Sequence, residues 1–206
     1  MQQILHPNLN LFSVKNFLNL TPSQLSQVRF SAFANYAKLF DKLGYCCGNY
    51  GAVICADGPN SFFNAIYQKF QQVIKESLCP DLTIVDLPNK IMPDKKDMPS
   101  SYYMEDTAAI FAYVSKRDYY ASQYHDHENC AVNAVYYPQI NEGDSISFWK
   151  NSKAHTYYPE QGELLIMPPN LLHKPDKPVS NNFRIALNLQ LSKDQIKSDP
   201  FAFSYS

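Results

Sequence analysis

Four of the chain's five histidines fall between positions 125 and 173, and two of them stand one residue apart in Tyr124-His125-Asp126-His127-Glu128. In extended backbone the side chains of residues i and i+2 leave the same face. His125 and His127 therefore project side by side while Asp126 turns away, and two imidazoles so placed can take adjacent positions on one metal ion. A third protein ligand has to come from elsewhere in the fold. His173, beyond the run 163–167 and the Pro168-Pro169 turn, is the candidate. If the segment is not regular strand, Asp126 or Glu128 takes the place of His127 as ligand. His155, in Lys153-Ala154-His155-Thr156, is expected at an exposed hairpin tip and outside the ligand set, because loops run over the surface.

The second residue able to do chemistry is Arg184. The chain holds three arginines, Arg29, Arg117 and Arg184, and the last sits inside the apolar run FRIALNLQL. An unpaired guanidinium there would be costly. Strand alternation places Arg184, Ala186, Asn188 and Gln190 on one face, with Ile185, Leu187, Leu189 and Leu191 on the other. Arg184 thus lies on a polar face, suited to grip a carboxylate with both arms of its planar fork.

These residues need a scaffold, and 206 residues with 45% hydrophobic content are enough for one domain with a sizeable core. The net charge of −1 gives no bulk attraction to nucleic acid or anionic membrane, and no basic run is longer than the two residues of Lys95-Lys96. Neither nucleic acid nor membrane is expected as a partner. The residues from Met1 to Leu20 lack an apolar signal segment, and no stretch reaches the ~20 apolar residues needed to span a bilayer, so a cytoplasmic protein is expected. The five cysteines show no framework spacing and are read as reduced thiols.

Proline divides the chain, since eleven of the 14 fall at Pro80 or later. Before that point two helices are legible. One has Thr21 as N-cap and Pro22 in the first turn, an apolar stripe of Leu25, Val28, Phe33, Tyr36, Ala37 and Phe40, and a stop at Gly44. The other begins near Asn60-Ser61, with Phe63, Ile66, Tyr67, Phe70, Ile74 and Leu78 on one face. After it come short runs rich in strand formers: LTIVDL, AAIFAYV, AVNAVYY, SISFW, ELLIM and FRIALNLQL. Turns are expected at 141–144 and 160–162, and a proline-punctuated loop over 88–105. Helices followed by strands predict an α+β fold: a single domain over 1–206, with a helical layer in 1–80 and a β core in 81–206.

From about residue 112 to 191 the chain resembles the Fe(II)/2-oxoglutarate-dependent oxygenases, and among them the bacterial and phage group that carries H-x-H in place of the commoner H-x-D. The matching pieces are YHDHENCAVNAVYY, GDSISFW, YPEQGELLIMPPNLLH and RIALNLQL, in that order, with His173 eleven residues before Arg184. The resemblance implies a double-stranded β-helix (a cupin-like jelly roll) with the N-terminal helices packed on the barrel. It implies Fe(II) on His125, His127 and His173, and Arg184 on the C5 carboxylate of 2-oxoglutarate. Tyr136 and Asn188 are further contacts to that co-substrate. The implied reaction hydroxylates a small molecule or a protein side chain, with Tyr119, Tyr120, Tyr124 and Trp149 available as pocket walls.

Two departures qualify the match. The middle ligand is a histidine rather than a carboxylate, so all three ligands are neutral, a set that zinc also accepts. Asn133-Ala134 replaces the small residues usual after the H-x-H and can reshape the pocket. Two other readings stay open. One is a cupin-like three-histidine dioxygenase that does not use 2-oxoglutarate. The other is a non-catalytic β-barrel that binds a metal or ligand.

Overall fold

The computed structural model describes residues 2–30, 52–54, 60–87, 109–117 and 123–201. Ten strands are seen among them: β1 (Gln2–His6), β2 (Leu11–Val14), β3 (Ala52–Ile54), β4 (Ala109–Ser115), β5 (Cys130–Gln139), β6 (Ile146–Lys150), β7 (Lys153–Tyr157), β8 (Leu164–Met167), β9 (Leu172–Pro175) and β10 (Arg184–Ser192). They form a seven-stranded sheet in the order β1-β2-β8-β5-β10-β4-β3 and a three-stranded sheet in the order β7-β6-β9. The strand pairs are antiparallel throughout. From β5 onward the chain shuttles between the sheets: β6 and β7 lie in the smaller one, β8 returns to the larger, β9 leaves it and β10 returns.

Helix α1 covers residues 22–30 and helix α2 covers Phe62–Ser77. Thr21 caps α1 reciprocally. Its hydroxyl accepts from the Gln24 amide, and the Gln24 side chain accepts from the Thr21 amide. The rest of the expected first helix, including Phe33, Tyr36, Ala37, Phe40 and Gly44, lies outside the described residues. Ser61 caps α2 through a bond from Asn64 N. Among the described residues no helix is long and apolar enough to cross a membrane.

The larger sheet buries both faces. On one, Phe63, Ile66, Tyr67, Phe70 and Ile74 of α2 join Ile185, Leu187, Leu189 and Leu191 of β10, together with Ala134 and Tyr136 of β5. The Tyr67 hydroxyl donates to the Gln190 carbonyl at 2.8 Å, anchoring the helix to β10. On the other face, Val135, Tyr137, Leu165 and Met167 meet Ile146 and Phe148 of the smaller sheet. The site histidines belong to this inner space between the sheets.

Glu163, fully buried, joins several elements just before β8. Its carboxylate accepts from Ser13 of β2, Tyr157 of β7 and Lys15. A buried carboxylate is tolerable only with such a full set of donors. Gly162 beside it has φ +84°, left-handed backbone that a side chain would strain.

Three expectations need correction. The run 82–87 is not a strand. Its Val85 and Leu87 backbone groups pair with side chains of α2 instead: Gln71 accepts from Val85 N and donates to Val85 O, and Asn64 accepts from Leu87 N. His155 sits in the middle of β7, opposite Phe148, and the hairpin tip is Asn151-Ser152, both at positive φ. Strands β1, β2, β3, β7 and β9 add to the expected set. They are three to five residues long, at or near the lower limit at which an alternating pattern can be read.

Phe70 is fully buried between α2 and the sheet. Phe70→Ala should lower unfolding stability by about 3–5 kcal/mol through lost burial and a residual cavity. Urea unfolding of the two proteins measures this directly.

Candidate metal centre

His125 and His127 precede β5, and His173 is the second residue of β9. Backbone exchange holds two of the three together. His125 N donates to His173 O at 3.0 Å and His173 N to His125 O at 2.9 Å, the pattern of a hydrogen-bonded antiparallel pair. His127 N donates to Pro169 O at 2.7 Å, which ties the motif to the turn before β9. Only His125 makes a β-bridge, yet the i, i+2 side chains still converge.

The three imidazoles face one another. Ring centroids lie 5.2 Å apart for His125 and His127, 4.6 Å for His125 and His173, and 5.1 Å for His127 and His173. One nitrogen from each lies within 4.8 Å of the others, a spacing that can hold a metal ion. Neither Asp126 nor Glu128 joins this cluster, and His155 is also outside it.

Partners of the second ring nitrogens set the tautomers. His125 Nδ1 lies 2.9 Å from Gln123 O, and His173 Nδ1 lies 2.9 Å from Leu171 O. A carbonyl only accepts, so both Nδ1 atoms carry the proton and both Nε2 atoms present lone pairs. His127 Nδ1 meets the side-chain amide of Gln190, which reaches across from β10. The amide nitrogen is the atom placed against Nδ1; with the amide turned over so that its oxygen accepts from Nδ1–H, His127 too has its lone pair on Nε2. That Nε2 is buried and has no hydrogen-bond partner. A buried, unpartnered imidazole nitrogen among two others fits a metal ion.

The electrostatics agree. Burial, reinforced by His173 and His125 alongside, holds His127 down to about 2. Burial and the neighbouring His125 hold His173 down to about 3. Both rings are therefore neutral at physiological pH, the form that binds metal.

Arg184 opens β10 on the same face as Gln190, opposite Ser115 of β4. It is 4% exposed, and its Nε donates to Ser115 Oγ at 3.2 Å. Among the described residues no carboxylate pairs with it. Asn188 lies between Arg184 and Gln190 on that face, bonded to Asn133 of β5. Tyr136 is not brought to the site. Alternation sends it to the helix side, where it packs edge-on against Phe17 at 5.3 Å and donates its hydroxyl to Leu18 O. Its neighbour Tyr137 takes the inner face. Burial raises the Tyr137 phenol, and nearby Arg184 opposes the shift.

Gln190 and Ser115 are the polar partners that sequence reasoning passed over. For Gln190 the signal was present, since it shares its strand face with Arg184. Of the expected pocket walls, Tyr124 and Trp149 pack on each other at 5.9 Å and remain partly exposed. Trp149 alternates with Phe148, and it is Phe148 that approaches His173, with ring centroids 6.4 Å apart. Tyr119 and Tyr120 lie outside the described residues.

The lowered histidines make the metal-free protein acid-labile. Their folded values lie below the unfolded value near 6.5, so the unfolded chain takes up protons first as pH falls. Stability is retained above about pH 6.5 and drains below it, by up to about 2.7 kcal/mol per pH unit for two such groups. Urea midpoints of the metal-free protein should fall between pH 7.5 and 5.5. They should fall less in the double variant His127→Gln/His173→Gln.

No family model matches the sequence, and no curated protein matches it. Solved structures do match. A prolyl 4-hydroxylase from Phytophthora capsici aligns with a TM-score of 0.53 and 12% identity, over 90% of this chain and 59% of that one. AviO1 from Streptomyces viridochromogenes Tue57 aligns with a TM-score of 0.50 and 8% identity, over 88% and 89%. An oxidoreductase of the 2OG-Fe(II) oxygenase family from Burkholderia pseudomallei aligns with a TM-score of 0.49 and 6% identity, over 92% and 87%. This chain thus shares its fold with the Phytophthora prolyl 4-hydroxylase and with AviO1.

Proposed function

We propose that the protein is an Fe(II)- and 2-oxoglutarate-dependent oxygenase that hydroxylates a small molecule or a protein side chain. The observation that carries this reading is the pairing of two features on one inner face. Three imidazoles converge there, and a buried guanidinium with no carboxylate partner among the described residues stands further along the same strand as Gln190. A metal alone explains the first feature. An anionic co-substrate that also reaches Arg184 explains both. The shuttling of β5–β10 between two antiparallel sheets supports a double-stranded β-helix as the scaffold.

In this reading His125, His127 and His173 hold Fe(II) through Nε2. Gln123 O, Leu171 O and the Gln190 amide orient the three rings. Arg184 receives the C5 carboxylate of 2-oxoglutarate, and Ser115 steadies the guanidinium. Bound together, iron and 2-oxoglutarate would supply the oxidising chemistry: O₂ is consumed, succinate and CO₂ leave, and the substrate gains a hydroxyl group. The apolar wall of Val135, Ile146, Phe148 and Met167 keeps water from the space between the sheets. Three neutral ligands leave the full metal charge to be offset by the co-substrate, which favours a dianion.

His127→Ala should remove tight Fe(II) binding altogether. Gln190→Leu, which removes only the partner of Nδ1, should weaken it by roughly 10–100-fold. Anaerobic metal titration followed by mass spectrometry distinguishes the two effects, and a parallel zinc titration tests the choice of metal.

Replacing Arg184 tests the co-substrate. Arg184→Ala should weaken 2-oxoglutarate binding to the iron-loaded protein by about 2–5 kcal/mol while leaving iron binding intact. Arg184→Lys should recover only part, because an ammonium cannot reproduce the planar fork. Equal affinities across wild type and both variants would move the protein to the class of three-histidine dioxygenases that do not use 2-oxoglutarate.

A further inference from the structure

Four residues stand in register across the smaller sheet. His125 is opposite His173, His173 opposite Phe148, and Phe148 opposite His155. Residues directly opposite on antiparallel strands share a face, so this row lies on the inner face with the metal ligands. Two residues along β6 from Phe148 the same face carries Lys150, partly buried, and directly opposite it stands Lys153 of β7. Like charges so placed repel and cost stability unless an anion offsets them. The turn between them is Asn151-Ser152, both at positive φ, the mirror-image hairpin turn that matches the twist of the strands and fixes their register. The two ammonium groups are therefore held on one face by the tight turn itself. Among the described residues neither lysine has a carboxylate partner; the ion pairs are those of Lys15 and Lys174.

Strand direction places this pair relative to Arg184. Strand β6 begins beside the chain that leads into β10: Asn141 Nδ2 donates to Asn182 O at 3.2 Å, and Val179 N donates to Asp144 Oδ1 at 2.9 Å. From there β6 runs past His173, which is opposite its third residue, and ends at Lys150. The two lysines lie beyond the histidine row, on the side away from Arg184. One strand spacing and two residues of rise put the Lys150 backbone roughly 8 Å from that of His173. A single small molecule or side chain can span from the lysines to the three imidazoles.

Resting on the oxygenase reading above, we infer that the primary substrate carries an anionic group, carboxylate or phosphate, seated between Lys150 and Lys153 at the outer end of the smaller sheet, with its reacting end toward the three histidines. The anion offsets the repulsion of the lysine pair and receives a charged hydrogen bond from each. Two anions are then held on opposite sides of the metal centre, the substrate's by the lysines and the co-substrate's by Arg184. The separation keeps one from taking the other's place.

The test uses methyl phosphate and acetate as probes. Each is titrated, without oxygen, into protein supplied with 2-oxoglutarate and either cobalt(II) or zinc(II), and followed by phosphorus or carbon NMR. Paramagnetic cobalt should shift the bound probe relative to the zinc form, which marks its closeness to the metal. The tighter probe tells a phosphorylated substrate from a carboxylic acid. Lys150→Gln and Lys153→Gln should each weaken that probe roughly tenfold, the scale of a hydrogen bond to a charged group. Lys150→Arg and Lys153→Arg should retain it, and metal and 2-oxoglutarate affinities should stay as in wild type throughout. Failure of both probes to bind, or unchanged affinity in the two Gln variants, would overturn the inference and leave the lysines as guards of the edge strand β7. Probe binding without a cobalt shift would overturn it by placing the anion away from the metal. Probe binding abolished by Arg184→Ala would overturn it by placing the anion in the co-substrate's seat. A wild type that does not take up 2-oxoglutarate, yet binds a probe with a cobalt shift that depends on the lysines, would overturn the co-substrate reading alone and leave the anion subsite standing.

Discussion

Strand β10 is hydrogen-bonded on both edges, to β4 and to β5, and the rest of the molecule depends on its register. A strand with two paired edges cannot slip by one residue without sending every side chain to the wrong face. One face of β10 is Ile185, Leu187, Leu189 and Leu191, sealed beneath α2. The other is Arg184, Ala186, Asn188 and Gln190. Burial of four large aliphatic side chains, each contributing on the order of 2 kcal/mol, fixes the alternation. The polar groups opposite them are carried into the interior as a consequence. The hydrophobic face therefore does the positioning, and the polar face receives its geometry from it.

The histidine cluster illustrates the same division. Convergence of three imidazoles is unfavourable for protonated rings, and burial removes that difficulty by holding His127 and His173 neutral. Their orientation is fixed by short-range backbone features. Two carbonyls two residues upstream, Gln123 O and Leu171 O, each engage an Nδ1, and the paired backbones of His125 and His173 keep their rings adjacent. The third ring depends on a distant group, Gln190, so His127 is positioned by the sheet rather than by its own loop. Strand β9, which carries His173, follows β8, whose approach is set by the buried Glu163 and its donors from β2, β7 and Lys15.

Much of this was legible in the chain itself. The H-x-H spacing, the later histidine and the lone arginine in an apolar strand are chemically conspicuous residue types, and their geometry follows from local alternation. The strands β4, β5, β6, β8 and β10 were readable because their apolar runs are long or strongly alternating. The run 82–87 differs from the expected strand because its apolar content matches one, whereas Val85 and Leu87 pair with glutamine and asparagine side chains of α2. His155 was misplaced because Asn151-Ser152, rather than the residues around it, adopts the positive φ of the tip.

What the sequence by itself determined is the set of candidate groups and the face each occupies on its own element, since periodicity acts over a few residues. What only the tertiary structure decided is which faces meet. Tyr136 and Tyr137 are equivalent in composition, and the pairing of β5 with β10 and β8 sends the first to α1's side of the sheet and the second toward Arg184. Gln190 reaches His127 across 63 residues, and Asn133 reaches Asn188 across 55. No local pattern encodes such contacts, because they arise from the packing of two sheets whose register is set by the burial of side chains far from the site.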